Sequence, residues 1–429
     1  MLFALPAGAG AQTTAQIPLQ FDFMNPGARS LGLGGAFTAA ADDATAAFAN
    51  PSGLAFLTTS EASIEGRFRR NSTPFLQGGR VGGAITGIGP DTIPFAVYGT
   101  DIDSQFGPTF LSVVVPLRKI TVAAYRHELA TIDNAFFSTG VFERDTSAGV
   151  VEDRARDRPL TGHRTIRLRN YGGAFGTRVN DRLAVGGGVS LYTFDLQSEF
   201  RTFNLKGDFA SDVDTTKTTA IATQQGDAVS VGANAGLLWS VGRGIKVAGM
   251  FRRGPSFSFR QDDHDLLGAK DITRQGRFKV PDVWGGGIEW RLSEILRIVG
   301  DVNRVGYSQL KVDFIDFQAI SSGRQDQLHV DDGTEIRAGV ERLFLGTAVP
   351  LAFRFGAWFD PEHAVRYTAT SQNDRLDIRL AAALPGGKNL IHITGGGGIV
   401  PARWLELNAA FDVSSRTRYA TASAVVRFR

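Results

Sequence analysis

The sequence is most restrictive in what it lacks. None of its 429 residues is cysteine, so it has no disulfide framework, no thiol nucleophile and no thiolate metal site. It also has no run of about 18 apolar residues, which a membrane-spanning helix requires. The formal net charge is only +3 and the arginines are scattered, which argues against nucleic-acid binding. Any passage through a membrane would have to be made by strands.

Glycine and phenylalanine are abundant instead, with 51 and 31 residues, and many short segments alternate apolar with polar side chains. Successive side chains of a strand point to opposite faces, so such a segment has one apolar face and one polar face. Residues 404–413 show this most clearly, with Leu405, Leu407, Ala409, Phe411 and Val413 on one face and Glu406, Asn408, Ala410 and Asp412 on the other. One such segment also suits a soluble β-sandwich. The number of segments and the lengths of their connections must decide between the two.

The alternation predicts fourteen strands, an even number, as expected of a bacterial barrel built from hairpins. They cover residues 62–69, 106–117, 120–129, 165–177, 182–203, 228–240, 245–261, 278–291, 295–314, 334–343, 351–359, 390–400, 404–413 and 418–429. Tight turns are expected near residues 118–119, 180–181, 242–244, 292–294, 346–347 and 401–402, and long loops at 130–164, 204–227, 262–277, 315–333 and 360–389. Short turns at one edge and long loops at the other are typical of outer-membrane barrels, with the short turns in the periplasm.

We therefore predict an all-β fold, a 14-stranded antiparallel transmembrane β-barrel, with a soluble β-sandwich as the alternative. The polar faces of the later strands carry both signs of charge, which can pair inside a lumen. On the lipid side each arginine would cost about 2–4 kcal/mol at the midplane. The predicted polar network of the lumen comprises Glu289, Arg291, Arg297, Asp301, Glu335, Arg337, Arg354, Glu406 and Arg427, with Glu341 and Asp412 on the same face.

The first 58 residues are of another kind. Residues 1–11 look like the remnant of a signal peptide with a small-residue cleavage site before Gln12. Residues 12–58 are too rich in glycine and alanine for a lipid-facing strand. A compact segment ahead of a barrel lies either in the periplasm or inside the lumen as a plug. We predict an N-terminal hatch at residues 12–58, plugging the lumen of a barrel formed by residues 59–429.

The segment from Gly27 to Leu57 reads GARSLGLGGAFTAAADDATAAFANPSGLAFL. It resembles the N-terminal signature of the FadL-type outer-membrane transporters of long-chain fatty acids and other hydrophobic compounds, and of their PorV-like relatives associated with type IX secretion. The resemblance is close over this segment and loose, through strand number and loop rhythm, over the rest. It implies a fourteen-stranded barrel whose hatch blocks the lumen. Ligands would be captured among the extracellular loops, pass to a pocket beside the hatch and leave sideways through a gap in the wall.

The same resemblance points to particular hatch residues. The family's Asn-Pro-Ala motif corresponds to Asn50, Pro51 and Ser52, with serine in place of alanine. Gly34 and Gly35 belong to the same predicted hatch motif. Serine is nearly as small as alanine, so the turn remains plausible.

Phenylalanines are the candidates for hydrophobic ligand binding. Phe37 and Phe48 in the hatch would line an inner pocket, or else pack against the wall. Phe136, Phe137, Phe200 and Phe203 lie in or beside predicted loops, where capture of a ligand and the ordinary aromatic girdle are the two interpretations. The loops are also rich in Arg, Asp, Thr and Gln, which favours the PorV-like alternative over a purely apolar funnel.

No arrangement for catalysis or cofactor binding is evident. The six histidines are dispersed, the glycines at 32–35 lack the Lys-Ser/Thr ending of a phosphate loop, and no Gly-x-Ser-x-Gly elbow occurs. The acidic tracts at 262–265 and 331–332 are interpreted as solvated loop charge rather than cation sites. We expect no enzyme activity, no cofactor and no bound metal.

Two functions fit these observations. The first is a Gram-negative outer-membrane channel for passive uptake of hydrophobic small molecules, such as long-chain fatty acids or hydrocarbons. The second is a PorV-like adaptor whose loops bind secretion-system proteins. Either protein would contact outer-membrane lipid and lipopolysaccharide and be inserted by the barrel-assembly machinery, and neither would bind nucleic acid.

Overall fold

The computed structural model describes residues 23–145, 152–268, 270–310, 323–371 and 374–428. The predicted signal peptide and the first part of the predicted hatch lie outside these ranges. The strands of the described part are β1 (Ser60–Val81), β2 (Ala96–Pro116), β3 (Ile120–Ser138), β4 (Phe142–Asp145), β5 (Glu152–Arg156), β6 (Leu160–Arg178), β7 (Leu183–Leu205), β8 (Val213–Gly242), β9 (Ile245–Arg253), β10 (Ser256–Asp265), β11 (Lys270–Lys279), β12 (Val283–Arg291), β13 (Leu296–Val305), β14 (Leu328–His329), β15 (Gly333–Phe344), β16 (Leu351–Asp360), β17 (Arg366–Tyr367), β18 (Leu390–Ala402), β19 (Leu405–Val413) and β20 (Thr417–Phe428). The helices are α1 (Ala28–Gly32), α2 (Ala46–Ala49) and α3 (Arg375–Ala383), with 3-10 turns at Pro51–Phe56, Tyr307–Leu310 and Gln325–Gln327.

Fourteen of these strands form one closed antiparallel wall. Around the ring their order is β1-β2-β3-β6-β7-β8-β9-β12-β13-β15-β16-β18-β19-β20, and β20 pairs with β1 from Ser60↔Phe428 to Asn71↔Thr417. Each wall strand corresponds to one predicted strand, and the six predicted tight turns all lie at one edge. The predicted 14-stranded antiparallel barrel is therefore confirmed. We call the edge that carries the tight turns the turn edge and the opposite one the loop edge.

The outer face of the wall carries an apolar band. On β7 the outward side chains of Val189 and Leu191 are 60% and 52% exposed, and on β12 Trp284 and Trp290 are almost half exposed. Inward positions of the same strands are buried, and some are charged, such as Glu289. A closed wall that is apolar outside satisfies its backbone internally and suits hydrocarbon. Among the residues described, no helix is long and apolar enough to cross a membrane.

Several strands run well beyond their predicted ends. The predicted loops 130–164 and 204–227 are largely strand, because β3, β7 and β8 extend into them. Toward the loop edge of β7, within the predicted strand, the polarity is inverted, since Gln197 and Glu199 point outward while Leu196 is buried inside. Past the membrane the outer face meets water and the inner face forms a packed core. In the extension of β8 the outward side chains, such as Gln225, are polar in the same way, and this part of the strand therefore looked like a loop.

Two predicted strands are interrupted by proline. Strand 245–261 divides at Gly254-Pro255 into β9 and β10, and strand 278–291 divides at residues 280–282 into the end of β11 and β12. Proline has no N–H to donate to a ladder, so the pairing breaks there. Beyond the breaks, β10 and β11 form a hairpin that pairs with the extension of β8 at the loop edge.

Helix α3 helps to cover the loop edge. Asp374 caps the helix by accepting a hydrogen bond from the N–H of Asp377. Leu380 is fully buried against the core of the barrel, and Arg379 lies 2.8 Å from Asp157 in the connection between β3 and β6. The connection predicted as a plain loop therefore contains a helix that is tied to another loop across the mouth.

The apolar band predicts the cost of a charge facing lipid. Val189→Arg should lower the free energy of unfolding by about 2–4 kcal/mol, because it places a guanidinium at mid-membrane depth. The matched change Gln197→Arg, on the same face of β7 but beyond the band, should cost about 0–1 kcal/mol. Urea titration in lipid vesicles, read by heat-modifiable gel migration, measures both. Equal losses would show that the band is misplaced.

Candidate functional site

Residues 23–59, here called the N-terminal segment, lie inside the barrel. Most of their side chains are buried. Helix α1 contacts β18 and β19, whereas the 3-10 turn Pro51–Phe56 contacts β6, β7 and β8. These two groups of strands lie on opposite sides of the ring. The segment therefore spans the lumen from wall to wall.

The wall is glycine where the Asn-Pro-Ser motif docks. A Cβ built on Gly236 would lie 1.9 Å from Asn50 Oδ1, and one on Gly186 would lie 2.4 Å from the carbonyl carbon of Pro51. Real Cβ atoms essentially never come closer than 3.0 Å to another heavy atom. Only glycine at these wall positions lets the motif approach so closely.

The opposite wall receives Gly34 and Gly35. Both have positive φ, +67° and +74°, which side chains of other residues rarely allow. A Cβ on Gly356 of β16 would lie 2.3 Å from the nitrogen of Gly34, whose N–H donates to Thr394 Oγ1 at 3.0 Å. Backbone thus packs against backbone on both sides of the lumen.

Asp301 of β13 anchors the middle of the segment. Its Oδ2 accepts hydrogen bonds from the N–H of Phe37 at 2.8 Å, the N–H of Thr38 at 2.9 Å and the hydroxyl of Thr38 at 2.7 Å. Asn50 Nδ2 donates to the carbonyl of Thr38 at 2.8 Å. Asn50 Oδ1 accepts from the N–H of Ser52 at 3.2 Å and from its hydroxyl at 2.7 Å. The serine that replaces alanine therefore adds a hydrogen bond within the motif.

An ion-pair network holds the segment at the turn edge. Arg29 of α1 lies 2.6 Å from Asp42 and 3.8 Å from Glu341, and Glu341 also meets Arg297 at 2.6 Å and Arg354 at 2.5 Å. Burial alone would raise the pKa of Asp42, but Arg29 and Arg297 hold that pKa well below its usual range. The network borders a cavity of 660 Å³ at the turn edge. This end of the lumen is charged and occupied by protein.

The structure places the nine predicted lumen residues in four groups. Glu289 lies 2.5 Å from Arg291 and 3.5 Å from Arg297, Glu335 lies 2.9 Å from Arg337, and Glu406 lies 2.8 Å from Arg427. Arg354 joins the group of Glu289 and Arg297 through Glu341. Asp301 stands apart and binds the N-terminal segment. Arg291 differs in being about half exposed, at the turn edge.

On the loop side of the N-terminal segment the lumen contains groups of packed aromatic rings. Phe194 of β7 stacks on Phe257 and Phe278, with ring centroids 5.0 Å and 4.9 Å apart. Phe48 of α2 borders this region, with its ring centroid 4.3 Å from that of His127 and 3.7 Å from the guanidinium carbon of Arg252. The lumen is thus mainly apolar toward the loop edge, apart from buried polar side chains such as Arg164, and charged toward the turn edge.

The candidate ligand residues are only partly brought together. Phe37 and Phe48 are both buried in the N-terminal segment. Phe136 and Phe200 face inward from β3 and β7, with ring centroids 6.1 Å apart. The placement of Phe136 in a loop was wrong because β3 continues, whereas Phe200 lies in a strand as predicted. Phe203 is buried on β7, but Phe137 is 37% exposed and points outward from β3.

The wall has a window between β2 and β3, which the family resemblance implied but the sequence did not locate. Backbone pairing between these strands ends at Phe110↔His127; beyond it β2 pairs only with β1, and β3 only with β6. The strands meet again through side chains, where Asn134 Nδ2 donates to Asp101 Oδ2 at 2.7 Å. The window holds a cavity of 520 Å³. His127 lines it and contacts Phe48, so the window leads to the N-terminal segment.

The sequence contains two local signals for this window. Gly107-Pro108 lies within β2, and a bulge interrupts β3 between Glu128 and Ala130. Proline cannot donate to a neighbouring strand, and a bulge bends a strand and breaks its ladder. Together they release the facing edges of β2 and β3.

The acidic tracts are engaged in ordinary polar contacts. Asp262 lies 2.8 Å from Arg260, and His264 lies 2.9 Å from Asp271. Asp331 faces Arg366 at 3.6 Å. In the described ranges no group of three or more His, Asp or Glu side chains is arranged to hold a metal ion.

The complete fold matches solved structures of channels. A FadL homologue of Pseudomonas aeruginosa superimposes with a TM-score of 0.64 at 12% identity, over 96% of this chain and 100% of that one. The toluene transporter TodX of P. putida superimposes with a TM-score of 0.58 at 13% identity, over 95% of this chain and 100% of that one. The monoaromatic hydrocarbon channel CymD superimposes with a TM-score of 0.57 at 12% identity, over 96% of this chain and 99% of that one. The predicted FadL-type fold is therefore confirmed. No protein-family model and no curated protein matches the chain in sequence.

The glycine contact at the Asn-Pro-Ser motif can be tested directly. Gly236→Ala should displace Asn50 and lower the free energy of unfolding by about 1–3 kcal/mol, as overpacking does elsewhere. It should also raise ion conductance in planar bilayers, since the segment no longer seats. Gly249→Ala is the control, because its new Cβ would meet only the carbonyl oxygen of Gly285 at 3.9 Å. Unchanged stability and conductance in Gly236→Ala would refute a tight seat.

Proposed function

We propose that the protein is an outer-membrane channel of a Gram-negative bacterium for passive uptake of hydrophobic small molecules. The observation that carries this proposal is the division of the lumen. Its apolar part connects to the window, whereas its charged part is occupied by the N-terminal segment. For a solute that enters from the loop edge, the way to the turn edge is blocked by the N-terminal segment and its ion pairs, whereas the window leaves the lumen beside Phe48, before those pairs are reached.

The path has three stages, with the turn edge facing the periplasm. Solute is first captured at the loop edge, where Phe136 and Phe200 lie in a buried apolar cluster with Phe75. It then enters a pocket beside Phe48, where the N-terminal segment acts as a hatch. It leaves sideways through the window into the outer leaflet. No covalent step is involved, so affinity and a local shift of the hatch provide the mechanism.

The solute class is apolar or amphipathic. The solved structures that share the fold include channels whose names specify toluene and monoaromatic hydrocarbons. The stacked rings of Phe194, Phe257 and Phe278 offer the flat apolar surface on which aromatic or acyl compounds pack. Long-chain fatty acids and hydrocarbons are therefore the substrates to test first.

Uptake of labelled oleate and labelled toluene by a host that lacks its own transporter tests the function. Expression of the protein should raise the initial rate of at least one of them above the vector control. Surface location and heat-modifiable migration show whether the barrel is folded. A folded surface barrel that transports neither compound would refute the channel and favour the secretion adaptor.

Lateral release has a separate test. Because the sequence contains no cysteine, a maleimide reacts only with the cysteines that are introduced. Thr109 and Thr131 line the window from β2 and β3. In the double variant T109C/T131C, a flexible bismaleimide should bridge the window and reduce uptake to the vector level. The same variant treated with a monofunctional maleimide of similar size is the control and should retain most of its uptake. Full uptake through the bridged protein would exclude this window as the exit.

A further inference from the structure

The outer mouth of the window has an aromatic side and a cationic side. Phe68 of β1 and Phe106 of β2 are register partners that both point outward, and Phe106 is 81% exposed. Across the window, Arg126 of β3 and Arg167 and Arg169 of β6 line the same cavity. The opening therefore separates an apolar surface from a positively charged one.

The protein balances this charge only in part. Glu128 is shared by Arg126 at 2.7 Å and Arg169 at 3.6 Å. The Nε of Arg169 is buried and has no hydrogen-bond partner within the described part of the chain. Two carboxylates line the cavity against five arginines, which are Arg67, Arg69, Arg126, Arg167 and Arg169, and of these Arg67 is paired with the buried Glu65. An external anion would supply the missing acceptors.

The outward arginines lie at the depth where the apolar band ends. Along β6 the outward residues pass from Phe175 and Tyr171, both almost half exposed, to Arg169 and Arg167. Arg169 pairs with Thr193, just past the last apolar outward residues of β7. The end of the apolar band is the level of lipid headgroups.

We infer that the outer mouth of the window binds a phosphorylated lipid of the outer leaflet. Its phosphates lie among the guanidinium groups, which form charge-assisted, often bidentate hydrogen bonds with phosphate oxygens. One of its acyl chains packs on Phe106 and Phe68. Three outward guanidinium groups suit a headgroup with two phosphates better than a single carboxylate, and they face the lipid rather than the lumen. The bound lipid covers the window from outside. This inference shares with the proposed function only the orientation of the barrel.

Native mass spectrometry of the full-length protein in detergent tests this site. The probes are lipid A with two phosphates, lipid A with one phosphate, and zwitterionic phosphatidylethanolamine. The bisphosphorylated lipid A should be retained most strongly. The triple variant R126Q/R167Q/R169Q should weaken its binding by about tenfold for each lost charge-assisted contact. Heat-modifiable migration confirms that the variant is folded.

A matched control removes the same charge elsewhere on the outer face. The variant R144Q/R201Q/R260Q replaces three exposed arginines that pair with carboxylates at 2.9 Å, 2.5 Å and 2.8 Å, away from the window. It should bind lipid A as the unmodified protein does. Equal loss in this control, or equal retention of phosphatidylethanolamine, would overturn the inference. Displacement of lipid A by dodecanoate would assign the arginines to a transported solute and would also overturn it. Binding is measured without transport, so failure of one proposal is distinguishable from failure of the other.

Discussion

Closure of the wall is the constraint on which the rest of the structure depends. A sheet in hydrocarbon must pair every backbone N–H and C=O internally, and a closed ring of strands does so. A ring of fourteen strands encloses more space than its own inward side chains can fill. The N-terminal segment occupies that space, and it does so by packing its backbone against wall glycines such as Gly186 and Gly356. The high glycine content is thus partly a consequence of the width of the barrel.

Polarity then decides where a solute can go. In the membrane the wall is apolar outside and polar inside, but toward the loop edge β7 reverses this, with Leu196 inside and Gln197 outside. The reversal creates an apolar interior above the N-terminal segment and leaves the ion pairs below it. The window between β2 and β3 opens at the height of this change. The proposed lateral exit would lie at the same height, where the N-terminal segment ends its contact with the charged wall.

The fourteen strands could be predicted from the sequence because each carries its own alternation within the membrane, independent of its neighbours. The charged lumen residues, such as Arg297 and Glu335, follow from the same alternation. The extensions were missed because their outward side chains, such as Gln225 of β8, are polar and resemble those of a loop. The position of the window depends on the backbone pairing that β2 and β3 fail to form. Missing pairing does not change the alternation of apolar and polar residues, so the sequence pattern does not reveal it. Only Gly107-Pro108 and the bulge near Glu128 indicate it, and neither shows which of the two neighbouring strands is no longer paired.

The contacts of the N-terminal segment limit how the lumen can open. A solute bound with a dissociation constant of about 1 µM supplies about 8 kcal/mol. Removing one partner from a buried ion pair costs about 3–5 kcal/mol. Expulsion would break the pairs that join the segment to the wall, which are those of Arg29 with Glu341 and of Asp42 with Arg291 and Arg297, together with the three hydrogen bonds to Asp301. The sum exceeds what the solute provides. The side chain of Phe48 is held by ring packing against His127 and Arg252, so its displacement costs less than expulsion of the segment, provided that the hydrogen bond from Arg252 to the carbonyl of Phe48 stays in place. For the proposed channel, movement of the Phe48 side chain, with Asp301 and the glycine contacts still in place, is therefore the less costly way to connect the lumen with the window.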